Sequence, residues 1–242
     1  MKKLLFKKAI PILLLSSFLA SCGKEKTRTA NEEQKIDPIT AVASAADDQK
    51  SGGIYKGTLV GSTGAIKIIL QGSTKVAYIS FNGVPKTLST TDLNNWSSGQ
   101  ALKDATFVAG DWKIVFSVDA SGNNPIVVAT IPGHTVSASL VKETSTTTAK
   151  TFEGTFNING QSNVLNFVIK GTELVGLIKS TDQKIFTIRG MVSNNVITAS
   201  GNSDTGLITA TGNLSNDNAS GTFNETGTSY NINGTWTAKK TL

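Results

Sequence analysis

From about Ile54 onward, apolar residues recur at every second position. Ile66, Ile68 and Leu70 alternate with Lys67 and Gln71, and Trp112, Ile114, Phe116 and Val118 with Lys113, Ser117 and Asp119. Leu165, Phe167 and Ile169 alternate with Asn166 and Lys170, and Tyr230, Ile232 and Trp236 with Asn231, Asn233, Thr235 and Thr237. A period of two places one side of a strand on a core and the other towards water. Turn-forming breaks separate the runs at Gly72-Ser73, Ser121-Gly122-Asn123-Asn124, Gly171-Thr172 and Asn194-Asn195. Their spacing of about 8 to 12 residues predicts consecutive antiparallel hairpins, hence a barrel or sandwich. No helical stripe longer than two turns competes, so the fold class is all-β.

The pattern also repeats. Tyr55-Lys56-Gly57-Thr58 resembles Phe152-Glu153-Gly154-Thr155 at an offset of 97, and each is followed by a polar turn and an apolar strand. Trp112 to Asn124 matches Leu207 to Asn218, Gly133 aligns with Gly227, and Leu140 aligns with Trp236. Near-constant offsets predict two tandem β repeats of about 90 residues, at 53–143 and 151–240, joined by the Thr144 to Thr148 run. The repeat is compatible with two small barrels or with one larger sheet.

The first fifty residues follow a different logic. Met1 to Lys8 is short and positive, Ala9 to Leu19 is apolar, and small residues Ala20 and Ser21 precede Cys22. This is the layout of an export signal over 1–21; the apolar run falls short of the roughly 20 residues that span a bilayer. Leu19-Ala20-Ser21-Cys22 resembles the lipobox of bacterial lipoproteins. The resemblance implies cleavage before Cys22, acyl chains (palmitate among them) on its thiol, and usually a further acyl group on the new amino terminus. Gly23, where aspartate would imply retention at the inner membrane, favours the outer membrane and leaves its face open. Each buried acyl methylene contributes about 0.8 kcal/mol, so two or more chains hold a protein firmly on a membrane. Residues 22–52 are polar, lack aromatics and predict a flexible tether.

Composition then narrows the field. A 242-residue chain with 38% hydrophobic and 17% charged residues can bury a core and suggests one or two domains. The formal charge of +6 falls to +2 without Lys2, Lys3, Lys7 and Lys8, and the remaining lysines are scattered, so no nucleic-acid partner is expected. One cysteine excludes a disulfide framework, and a single histidine excludes most histidine-based metal sites. No calcium, phosphate-loop or zinc pattern occurs, so neither a cofactor nor a metal is expected.

Candidate chemistry is sparse. Trp96 stands in the long polar loop Thr91 to Gln100, which the second repeat lacks. It could offer a stacking platform to a sugar ring or fold under the loop as a plug. Trp112 and Trp236 alternate strictly and are expected in the core, and Tyr78 and Tyr230 are ordinary strand residues. His134 follows Pro132-Gly133 and opens a strand; no G-x-S-x-G context supplies it with a nucleophile. The acids, among them Asp92, Glu153, Asp182, Asp204 and Glu225, are spread singly. A porin-like wall is disfavoured by short runs, few aromatics, and Lys67 and Lys113 in mid-strand.

The expectation is therefore a membrane-anchored envelope lipoprotein with a non-catalytic binding or structural body. Its partner would be a glycan, an apolar small molecule or an envelope protein. The alternatives are a carboxylate-dependent hydrolase, which needs two acids across a cleft, and a lipocalin-like carrier with an apolar cavity.

Overall fold

The computed structural model describes residues 40–242. Cys22 and the lipobox lie outside the described residues. The alternating runs form sixteen strands. Strands β1–β8 are Gly53–Val60, Thr63–Gln71, Thr74–Phe81, Val84–Ser89, Leu102–Ala109, Trp112–Val118, Ile126–Thr130 and Ser137–Lys142. Strands β9–β16 are Ala149–Ile158, Gln161–Lys170, Glu173–Lys179, Ile185–Ser193, Val196–Asn202, Gly206–Ser215, Asn218–Gly227 and Asn231–Lys240.

Each set of eight winds up and down as an antiparallel meander. In the second set β16 pairs back onto β9, so the sheet closes as a barrel. In the first, β8 pairs back onto β1, but β7 and β8 share no ladder and leave a seam. The two repeats are thus two eight-stranded units in tandem, one closed and one nearly so. Eight strands leave an interior just wide enough for side chains or one small ligand.

The repeat holds strand by strand: Gly57 faces Ile66 on β2, and Gly154 faces Leu165 on β10. One detail of the sequence alignment is corrected. Leu140 faces Gly57 and Ala238 faces Gly154, so the counterpart of Leu140 is Ala238, two residues beyond Trp236. A slip of two preserves the inward or outward parity of every residue and cannot be detected from periodicity.

Tyr55, Ile66, Ile68, Phe107 and Phe116 fill the first barrel, and Phe152, Phe167, Leu174 and Trp236 lie in the core of the second. Trp112 is only half-buried, at the rim of the first core, edge-on to Phe81. Many outward positions of the second barrel are polar, as in Thr209, Thr222, Asn224 and Asn233, while Met191, Val196 and Leu207 are apolar residues exposed on the same outer face.

Two groups of residues depart from the simple alternation. Lys67 and Asn166, expected to face water, are buried, because their outer faces are covered. Residues 41–52, expected to belong to the tether, form a strap that packs on the first barrel. A short 3-10 turn at Ala45–Asp47 is capped by Ser44, and Ala41 joins Ile54 and Ile69 in a small outer cluster. Lys67 donates to the Ala41 carbonyl at 2.9 Å and Gln71 to that of Val42 at 2.8 Å. Lys142 caps the carbonyls of Asp47, Asp48 and Lys50. The strap's own few apolar residues gave no hint of this, since it is held chiefly by side chains reaching from distant strands.

The two barrels touch through β1, β2 and β8 of the first and β9, β10 and β11 of the second. Asn166 donates to the Leu59 carbonyl at 2.7 Å and accepts from the Gly154 amide and the Thr63 hydroxyl. Lys56 and Glu143 form a 2.9 Å ion pair beside the joint, and Lys179 donates to the Gly61 carbonyl at 2.6 Å.

Candidate functional site

Three features bear on ligand binding: the Trp96 loop, the interior of the second barrel, and the open seam of the first. At the first, Leu93 is buried and Trp96 half-buried against the first core. The indole N–H donates to the Gln100 carbonyl at 3.1 Å, and the Lys75 ammonium lies over the ring, 5.5 Å from its centroid. With its N–H used and a cation over one face, Trp96 is a plug at the end of the barrel rather than an open platform for a sugar. His134, also singled out from sequence, is exposed in a turn and rests edge-on against Phe81 at 5.0 Å; no nucleophile is hydrogen-bonded to it among the described residues.

The second barrel is different inside. Gly176, Gly190, Gly201, Gly212 and Gly234 share the inward parity of their buried neighbours, so the wall is low at many points. Two of these glycines shape the interior directly. A Cβ on Gly212 would collide with the Trp236 ring, and one on Gly234 with the Phe223 ring. Both aromatics therefore lie flat against the wall instead of crossing the axis. The Trp236 indole N–H is anchored on the Thr222 carbonyl at 3.1 Å. Phe156 and Phe223 meet edge to face at 5.2 Å, and Phe167 and Trp236 at 6.1 Å.

What remains is a partly open apolar cavity of about 60 Å³ inside the barrel. Phe156, Leu165, Phe186, Ile208, Phe223 and Trp236 are among the residues that line it. Glu225 and Ser180 bring polar atoms to the rim.

Glu225 is held in place by neighbours from adjacent hairpins. Ser203 donates to its Oε1 at 2.5 Å and Tyr230 to the same oxygen at 2.9 Å. Thr205 lies 2.6 Å from the Tyr230 hydroxyl and extends the chain outwards. Among the described residues, Oε2 accepts no hydrogen bond from the protein. Neither Glu225 nor Tyr230 stood out in the sequence as a site residue. The signal was nonetheless there, because Glu225 occupies the same inward parity as Phe223 and Ala219.

The acids approach one another at one further point of the same rim. Asp182 and Asp204 both grip Lys184, at 3.4 and 2.7 Å, and all three are exposed. The Ser180 hydroxyl and the Lys184 ammonium hold the Asp182 carboxyl below the usual range, and the two carboxylates hold the Lys184 ammonium above its own. A carboxyl stabilised as the anion is a poor proton donor. No group of three or more histidine, cysteine, aspartate or glutamate side chains that could hold a metal exists among the described residues.

The third feature is the seam between β7 and β8. A groove of about 740 Å³ runs along it, lined by Asn124, Ile126, Val127, Leu140 and Lys142, with Arg189 of the second barrel opposite. Ile126 and Val128 on β7 are exposed at 63% and 60%.

Fold and interior together define a tandem eight-stranded β-barrel protein with one filled barrel and one hollow at its mouth. Comparison with protein-family models gives no match, and comparison with curated proteins gives none either.

Proposed function

We propose that this chain is a lipid-anchored lipoprotein of the bacterial cell envelope whose second barrel holds a small apolar ligand without transforming it. The observation that carries the reading is the aromatic-lined cavity at the mouth of that barrel. Pockets of this kind, apolar with a few fixed polar groups, are the usual form of small-molecule sites. The Leu19-Ala20-Ser21-Cys22 motif supplies the anchor through acylation of Cys22, and Gly23 favours the outer membrane. The hydrolase reading has less support, since Asp182 and Asp204 are exposed on hairpin tips and neutralised by one lysine. A glycan reading loses its platform with Trp96 in the role of plug.

A second reading, an extended segment of an envelope protein, is favoured by one observation, the open seam. Unpaired strand edges present free backbone donors and acceptors to a further strand.

The cavity reading is tested with a small apolar probe. Apolar cavities of this type stay dry and take up benzene. Titrating benzene should move the Trp236 indole N–H resonance in a saturable way while those of Trp96 and Trp112, both in the first barrel, stay still. Ala210→Phe, which fills the cavity from β14, should abolish the shift. No saturable movement of Trp236 in the unaltered protein would sink the reading.

A further inference from the structure

The polar groups at the mouth select among apolar ligands, an inference that rests on the cavity reading above. We propose that the ligand is a short amphiphile carrying a protonated amine, with its hydrocarbon among Phe156, Phe186, Ile208 and Phe223 and its ammonium on Oε2 of Glu225.

Three observations lead there. First, Glu225 is the charged residue of the cavity lining, turned inward at the mouth one pleat above Phe223. A ligand whose chain lies on Phe223 brings its end atom to this carboxylate. Second, the protein has fixed the carboxylate and left one side of it open. Ser203 and Tyr230 both donate to Oε1, which orients the group, while Oε2 receives nothing among the described residues. An ionised carboxylate is acceptor-only, so the complementary ligand group must donate.

Third, the charge around the rim favours a cation over a neutral donor. The hairpin tips at this end, together with the strand ends that feed them, carry Lys179, Asp182, Lys184, Asp204 and Glu225. Lys184 is already shared by two carboxylates, and Lys179 is directed away to the Gly61 carbonyl of the first barrel. The partners of Glu225 are neutral hydroxyls, and no cation among the described residues is paired with it. An ammonium would gain a charge-assisted hydrogen bond there. A fatty carboxylate would meet like charge, which separates this site from that of a fatty-acid carrier.

The test uses the full chain carrying Cys22→Ser, which keeps acyl groups out of the titration. Hexylamine, hexanol and hexanoate, equal in chain length, are each titrated at matched ionic strength near neutral pH. The Trp236 indole resonance is followed throughout. Hexylamine should bind about tenfold more tightly than hexanol, the size of one charge-assisted hydrogen bond at a partly solvated site, with hexanoate weakest. Glu225→Gln should remove the advantage of the amine and leave hexanol unchanged.

Equal binding of all three probes, or an amine preference that survives in Glu225→Gln, would overturn the head-group inference and leave the cavity reading standing. Failure of every probe to move Trp236 would overturn both. Equal binding of the three probes in the unaltered cavity overturns the inference even if Glu225→Gln does not fold.

Discussion

The side chain of Asn166 is fully enclosed between the barrels, and both ends of its amide are used. It donates to Leu59 and accepts from Gly154 and Thr63. A buried amide is tolerated only when its hydrogen bonds are made, and removing it strands the partners. Asn166→Ala should therefore cost about 1–3 kcal/mol, read as a lower midpoint in urea unfolding. A change within about 0.5 kcal/mol would show that water replaces the amide at the joint. Lys67 follows the same rule with a charge: its ammonium is buried but reaches the Ala41 carbonyl. Burial also pushes the Tyr55 hydroxyl well above the usual tyrosine range, consistent with its donating to the Ser51 carbonyl in the filled barrel. None of these roles was legible at the residue scale. A polar residue in an alternating run reads as solvent-facing, and only a second layer of structure reverses that reading.

Among the elements, the strands and their turns were plain in the sequence, and the strap was not. Strand legibility has a direct cause, since the period of two and the Gly/Asn breaks are local properties of consecutive residues. The Asn194-Asn195 break, for instance, places two asparagines with φ of 49° and 64° in a tight hairpin turn. The strap has no such period, and its order comes from Lys67, Gln71, Lys142 and Ser145 far along the chain. One of its ties is titratable. Asp48 accepts from the Ser145 hydroxyl and amide at 2.7 and 2.8 Å, and these bonds hold its carboxyl below the usual range. A lowered carboxylate value favours the docked strap at neutral pH, and that preference is lost as pH falls through the lowered value. Amide exchange of residues 41–52, corrected for intrinsic rates, should therefore rise once the pH drops below about 4. Asp48→Asn should show faster exchange already at neutral pH. Protection that is flat across the acid range in both proteins would assign the hold on the strap to Lys142 and Lys67 instead.

At the scale of the whole molecule, the duplication produced two barrels with different interiors. The first is packed with Tyr55, Phe81, Phe107 and Phe116 and left open along one seam. The second is closed around a belt of glycines and keeps a space at its mouth. A duplicated fold with one solid and one hollow copy fits a division between scaffold and ligand site. The strap is docked on the solid copy. Cys22→Ser should release the protein from the membrane fraction and abolish incorporation of labelled palmitate. Retention with unchanged labelling would remove the anchor from the account.

The sequence by itself determined the all-β class, the hairpin breaks and the duplication, because each is written in neighbouring residues or in a constant offset. It also placed Trp236 in the core and presented Trp96 as either platform or plug. Tertiary structure alone decided that the two copies are separate barrels, that one closes and the other does not, and that Asn166 and Lys67 are inside. It also decided that Glu225, one acid among many in the chain, sits at the mouth of a cavity. The physical reason is the same in each case. Closure, burial and cavities depend on which strands meet across long separations, and a side chain's surroundings are set by partners about a hundred residues away.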